Sequence, residues 1–95
     1  MTKSSFDAGM LRDLYEALTA ISSPEDAELL LDDLCTRKEV EQMAQRLRAA
    51  RLLMEGKTYS QVIEQTNISS ATLSRVSRCV QYGGGYRKFA SHETR

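Results

Sequence analysis

The sequence predicts a small all-α protein. Apolar residues recur at helical spacing along most of the chain, and no segment shows the alternation typical of a strand. A serine-proline start signal and three asparagine- or glycine-containing breaks divide this pattern into helices. A chain of 95 residues supplies one small domain with a marginal core, so we expect a second copy to cover part of it.

The first two helices are indicated by apolar spacing and by a strong start signal. From Phe6 to Ile21, apolar side chains recur with the period of a helix. Ser22-Ser23-Pro24 then opens a second helix, because serine caps a helix, proline suits its first position and the acids that follow favour its dipole. We expect this second helix to end near Cys35.

The third helix is the longest and the central one. Thr36 opens it, and Glu39 stands where a capping box requires an acid. Gly56 ends it. The predicted buried stripe consists of Val40, Met43, Ala44, Leu47, Ala50 and Met54.

The segment from Thr58 to Cys79 predicts two short helices joined by a tight turn. Thr58 and Gln61 form a capping box, and Asn67 stands at the turn, where a left-handed backbone is tolerated. Ser69 caps the next helix. Its inward residues are Thr72, Leu73 and Val76. This is typical of a helix-turn-helix, here over about 58–80, although an ordinary αα-hairpin has the same outline.

Small polar residues and arginines occupy the predicted outer face of the second of these helices. Small side chains allow a close approach to base edges, and arginine suits both phosphate and guanine. The start of the preceding helix can accept phosphate. The predicted DNA-binding residues are Thr58, Tyr59, Ser60, Gln61, Ser69, Ser70, Ala71, Thr72, Ser74, Arg75 and Arg78.

Charge and composition favour a phosphate-binding protein and argue against a membrane protein, a metalloprotein or an enzyme. The overall charge is zero, but residues 1–45 carry ten acidic and four basic side chains, whereas residues 46–95 carry three and nine. The positive half contains the predicted helix-turn-helix, as expected for a phosphate-facing surface. Cys35 and Cys79 stand far apart, which favours a reducing, cytoplasmic setting without disulfides. We expect no membrane span. No metal site or cofactor is expected either, because His92 lies in a polar tail. We expect no enzyme, because no nucleophile has a visible base.

One joined block of the sequence carries a family resemblance. It reads L-C-T-R-K-E-V-E-Q-M-A-Q-R-L-R-A-A-R-L-L-M-E-G, then T-Y-S-Q-V-I-E-Q-T-N-I-S-S-A-T-L-S-R-V-S-R, with Y-G-G-G-Y after it. This block resembles the Trp repressor superfamily. It is most similar to the small YerC/YecD-type Trp-repressor-like proteins. The resemblance implies an intertwined helical homodimer whose recognition helices reach successive major grooves of double-stranded DNA. We therefore expect residues 6–82 to form a Trp-repressor-like domain. Because residues 1–5 are polar and the segment after Tyr82 is glycine-rich, we expect 1–5 to be disordered and 83–95 to be a flexible glycine-rich tail.

The same resemblance marks a possible effector site. Arg46 and Arg75 match the arginines that hold tryptophan in the Trp repressor, and Thr36 matches a threonine near the pocket. Cys79 replaces a serine there. Val76 replaces a glycine that leaves room for the indole, and a branched side chain cannot share that volume in a close-packed interior. Tryptophan binding is therefore not expected.

The predicted function is a sequence-specific, homodimeric DNA-binding regulator, expected to be a repressor that acts without tryptophan. Two alternatives stay open. One is a regulator that responds to a small molecule bound at Arg46 and Arg75. The other is a protein-interaction dimer that uses its acidic N-terminal helices and does not bind DNA.

Overall fold

A computed structural model describes residues 7–91 of the chain, which contain no strand and form six helices. These are α1 (Ala8–Thr19), α2 (Pro24–Leu34), α3 (Arg37–Met54), α4 (Tyr59–Thr66), α5 (Ser70–Tyr82) and α6 (Gly85–Phe89). The all-α prediction is confirmed. The predicted disorder of residues 1–5 and the tail residue His92 lie outside the described range. No helix within that range is long and apolar enough to cross a lipid bilayer.

The chain divides into two compact units, where one domain over 6–82 was predicted. The N-terminal unit ends at Thr36, and the C-terminal unit begins at Arg37. The physical reason lies in the core: every buried hydrophobic residue of the described chain belongs to the C-terminal unit.

Local capping explains both helices of the N-terminal unit. The side chain of Asp7 accepts a hydrogen bond of 2.8 Å from the backbone N–H of Gly9 at the start of α1. At the start of α2, Ser23 Oγ accepts one of 3.0 Å from the N–H of Asp26, and Pro24 holds the first helical position, as predicted. Six large apolar side chains of this unit are 40% or more exposed: Met10, Leu11, Tyr15, Leu18, Leu29 and Leu34.

The core of the C-terminal unit lies where α3, α4 and α5 meet. It consists of Ala49, Ala50, Leu52, Val62, Ile68, Leu73, Val76 and Val80. Leu73, Val62 and Val76 are its largest fully buried side chains. Burying each such side chain is worth roughly 1.5–3 kcal/mol relative to leaving it exposed.

The predicted buried stripe of α3 needs correction. Ala50 is buried and Met54 packs partly against the core, but Ala44 and Leu47 are exposed. The residues that were missed are Ala49 and Leu52. Helix α3 packs against both α4 and α5, and the face directed at them is centred on the two adjacent alanines, which have no exposed surface. Small side chains at such a contact let helix axes approach closely.

Within the segment 83–95, which was expected to be a flexible glycine-rich tail, Gly85–Phe89 form the short helix α6. Long-range contacts order this segment. Arg51 Nε donates a hydrogen bond of 2.7 Å to the carbonyl of Ala90, and Ala90 is only 1% exposed. Arg87 Nε donates one of 2.7 Å to the carbonyl of Val80. Neither contact leaves a signal in the local glycine-rich pattern.

Candidate nucleic-acid interface

A complete capping box starts α4. Thr58 Oγ1 accepts a hydrogen bond of 3.2 Å from the backbone N–H of Gln61, while Gln61 Oε1 accepts one of 2.9 Å from the N–H of Thr58. Two of the backbone donors at a helix start are thereby satisfied reciprocally. The predicted capping box of Thr58 and Gln61 is confirmed.

Asn67 makes the turn between the two helices. Its backbone is left-handed, with φ 62° and ψ 23°, and its N–H donates a hydrogen bond of 2.8 Å to the carbonyl of Ile63. Ile68, which follows, is 2% exposed and anchors the turn in the core. Ser69 Oγ then accepts a bond of 3.2 Å from the N–H of Thr72, which caps α5. The turn therefore has the predicted chemistry at each position.

A second set of contacts supports the turn and was not predicted. Gln45 Nε2, on α3, donates a hydrogen bond of 2.9 Å to the carbonyl of Thr66 in the last turn of α4. Thr66 Oγ1 donates one of 2.7 Å to the carbonyl of Val62 and accepts one of 3.3 Å from the N–H of Ile68. Polar groups that a helix end leaves unpaired are thus satisfied. A polar residue separated by 21 positions from its partner gives no sequence signal of this role.

The structure exposes nearly all the predicted DNA-binding residues. Ser70, Ala71, Ser74, Arg75 and Arg78 lie on the exposed face of α5, and Leu73 and Val76 on its buried face, as predicted. Thr72 is the exception. It is half-buried, and its hydroxyl accepts a hydrogen bond of 3.0 Å from Ser69 Oγ. The residues around the start of α4 and the cap of α5 are also exposed: Thr58, Tyr59, Ser60, Gln61 and Ser69.

The arginines on α5 form no ion pair with another described residue. Within residues 7–91 the ion pairs are Arg12 with Glu16, at 3.0 Å, and Arg37 with Glu41, at 3.4 Å. Neither Arg75 nor Arg78 has a carboxylate partner in that part of the chain. An unpaired guanidinium presents five N–H donors in the planar geometry that phosphate and guanine accept.

A cavity of about 290 Å³ lies beside α5 and brings three of the four predicted effector residues together. It is lined by Arg46, Thr72, Arg75, Val76, Cys79 and Tyr86. Thr36 is not among the lining residues. Tyr86 was missed because its segment was expected to be an irregular tail. Val76 also lines the cavity, is 1% exposed and belongs to the core.

Two further observations bear on chemistry at this surface. Residues 7–91 contain no group of three or more His, Cys, Asp or Glu side chains placed to hold a metal ion. Cys35 and Cys79 are both free thiols, and Cys79 is exposed at the rim of the cavity.

Known proteins resemble this chain in sequence and fold. The family model described as Trp repressor protein matches residues 10–93. The uncharacterized protein YerC of Bacillus subtilis (strain 168) is 42% identical over 73 residues, which cover 77% of this chain and 70% of that protein. A putative Trp repressor from Staphylococcus aureus superposes with a TM-score of 0.79 at 34% identity, covering 83% of this chain and 80% of the other. A TrpR-like protein from Eubacterium eligens ATCC 27750 gives 0.79 and 34%, with coverage of 83% and 82%.

Proposed function

Since this chain belongs to the Trp repressor protein family, we propose that it is a sequence-specific DNA-binding transcriptional regulator, which acts as a homodimer and represses without tryptophan. The observation that carries the proposal is the exposed face of α5. There, small side chains at the leading turn precede two arginines without carboxylate partners. That combination suits a helix lying in the major groove.

The proposed contacts divide into positioning and readout. Ser69, Ser70, Ala71 and Ser74 approach base edges or the nearby backbone, and Arg75 and Arg78 bind phosphate or guanine. Thr58, Tyr59, Ser60 and Gln61 place the start of α4 against a phosphate, which a helix N-terminus favours through its dipole and its open N–H groups. Thr72, half-buried and bonded to Ser69, supports the cap of α5 and makes at most an edge contact.

The N-terminal unit supports the homodimer. Six of its large apolar side chains are 40–69% exposed in the single chain, including Leu29 at 69%. Such a surface on a small protein is normally covered by a partner. A second copy is the occupant we propose, because one copy of the helix-turn-helix reads only a half-site and symmetry supplies the other. Such a regulator works beside chromosomal DNA in the cytoplasm, where free Cys35 and Cys79 stay reduced.

The cavity beside α5 supports a second candidate, a regulator that responds to a small anion. Arg46 and Arg75 both line it, and neither has an ion-pair partner within residues 7–91. Two such guanidiniums favour a carboxylate or phosphate. Calorimetric titration of the protein with amino acids and small carboxylates tests this candidate, and an absence of heat at millimolar ligand argues against it.

An arginine double variant tests the main proposal. Arg75→Ala/Arg78→Ala removes two charges from α5, and Arg12→Ala/Arg37→Ala removes two from ion-paired positions elsewhere. We expect the first pair to weaken binding at least tenfold to duplexes selected from a random pool. The slope of log K against log salt should fall by roughly 0.9 for each lost phosphate contact. The control pair should bind nearly as the unaltered protein does, and equal binding by both variants contradicts the proposal.

A further inference from the structure

The α6 segment is hydrogen-bonded to α3 on one side and to α5 on the other. On one side Arg51 of α3 donates a hydrogen bond of 2.7 Å to the carbonyl of Ala90. On the other, Arg87 of α6 donates one of 2.7 Å to the carbonyl of Val80 on α5. Ala90, the residue directly after α6, is buried. A helix of five residues is too short to be stable alone, so these contacts hold it in place.

Tyr86 is the residue that α6 directs toward the cavity. Its side chain is half-buried, packs against the hydrophobic core and lines the cavity with Arg46 and Arg75. The other lining residues, Thr72, Val76 and Cys79, belong to α5. The aromatic ring therefore lies beside α5, the helix whose exposed face is the proposed DNA-binding surface.

The glycine run explains how α6 returns to the cavity directly after α5. A Cβ at Gly83 would lie 2.8 Å from the carbonyl oxygen of Cys79, closer than real contacts allow. The N–H of Gly83 donates to the same carbonyl, also at 2.8 Å. Gly84 and Gly85 have open space around them. The backbone between α5 and α6 can thus follow this course only because residue 83 has no side chain.

We propose that Tyr86 is a built-in ligand of this cavity, a positioning residue whose phenol ring braces α5 from within the same chain. A diffusing aromatic ligand would brace the helix only when its concentration is high enough. A tethered ring is present at a high effective concentration at all times. The regulator is then permanently in its DNA-binding geometry. This inference rests on the proposed DNA-binding function, because bracing of α5 matters only if α5 reads DNA.

A chemical-rescue experiment separates a ligand-like ring from an ordinary core residue. Tyr86→Ala removes the ring, and Tyr82→Ala makes the same chemical change at a side chain that is 82% exposed. We expect Tyr86→Ala to lose at least tenfold in DNA affinity and Tyr82→Ala to stay within twofold. Millimolar 4-methylphenol, the missing side chain itself, should restore binding to Tyr86→Ala only. Equal binding by the two variants, or no recovery with 4-methylphenol, overturns the proposal.

A second pair of variants tests the proposal without removing the ring, and it decides the matter if Tyr86→Ala does not fold. Gly83→Ala places a methyl group against the Cys79 carbonyl and should displace α6, whereas Gly84→Ala meets nothing within 4 Å. We expect Gly83→Ala to lose DNA affinity with its helix content nearly unchanged, and Gly84→Ala to bind normally. Equal affinity in this pair overturns the proposal.

Direct binding of 4-methylphenol distinguishes failure of this inference from failure of the proposed function. The phenol should raise the Tm of Tyr86→Ala, or of Gly83→Ala if the first variant does not fold, and leave that of the unaltered protein unchanged. This readout uses no DNA. If the unaltered protein binds no duplex but the thermal shift occurs, the proposed function fails while the built-in ligand stands. If the protein binds DNA and the shift is absent, only the built-in ligand is overturned.

Discussion

The side-chain amide of Gln45 donates a hydrogen bond of 2.9 Å to the main-chain carbonyl of Thr66, and so joins the long helix α3 to the last turn of α4. The final carbonyls of a helix have no donor within the helix, and this one is only partly exposed. The turn that sets the angle between α4 and α5 thus depends on a side chain from outside the helix-turn-helix. Its geometry is a property of the C-terminal unit as a whole.

Replacement of Gln45 should therefore destabilise the turn. Gln45→Ala leaves the Thr66 carbonyl without its protein donor, and we expect a loss of about 1 kcal/mol in the free energy of unfolding. Urea unfolding followed by circular dichroism measures it. Gln42→Ala, at an exposed position of the same helix, is the control. An equal loss in the two variants would show that the hydrogen bond contributes nothing.

The left-handed backbone of Asn67 predicts an unusual order of substitutions. Alanine has the Cβ that clashes in this conformation but lacks the short polar side chain by which asparagine can compensate through local hydrogen bonding, so Asn67→Ala should lose roughly 1–2 kcal/mol of stability. Asn67→Gly should lose less, because glycine adopts positive φ without penalty. Thermal unfolding of the two variants checks the order. If alanine were the better tolerated of the two, the turn could not have the observed φ of 62°.

Val76 and Tyr86 together should control access of an indole to the cavity. We expect the unaltered protein not to bind tryptophan, Val76→Gly to bind it weakly and Val76→Gly/Tyr86→Ala to bind it more tightly, because each change frees volume beside Arg46 and Arg75. Isothermal titration measures all three. Ser74→Gly has the same glycine cost in α5, about 1 kcal/mol, without opening the cavity. Tryptophan binding by the unaltered protein would refute this account of Val76.

Ala49 should tolerate no larger side chain. It has no exposed surface, and it lies in the core where α3 packs on α4 and α5. Ala49→Leu should cost about 1–3 kcal/mol by overpacking, whereas Ala44→Leu, at an exposed position, should be nearly neutral. Guanidinium unfolding curves give both values. A stabilising Ala49→Leu would mean that the helices are not in close contact there.

The proposed homodimer predicts a charge-sensitive apolar surface on the N-terminal unit. Leu29→Asp places a carboxylate among exposed apolar side chains and should shift the protein from dimer to monomer in analytical ultracentrifugation. Leu29→Met keeps the surface apolar and should remain dimeric. A monomeric unaltered protein, or a dimeric Leu29→Asp, would remove this surface from the proposed interface.

What could be predicted from the sequence is the part of the structure that short-range physics dictates. The capping box of Thr58 and Gln61, the proline start of α2, the left-handed Asn67 and the cap at Ser69 all involve residues within about one helical turn of each other. Side-chain and backbone groups so near to each other in the sequence form the same hydrogen bonds in nearly every arrangement of the helices. The exposed face of α5, with its arginines, follows from the same local periodicity.

Tertiary structure alone decided how the helices face one another and which side chains surround the cavity. Gln45 reaches Thr66, Arg51 reaches Ala90 and Ala49 is buried, because packing brings distant segments together, and residue spacing carries no record of those distances. The glycine run at residues 83–85 is a second case in which local sequence and tertiary structure differ. Locally it favours an irregular tail, yet the long-range hydrogen bond from Arg51 to the Ala90 carbonyl and the burial of Ala90 outweigh that preference, and Tyr86 lies beside the arginines. Local interactions determined the helices; contacts between distant residues determined the site.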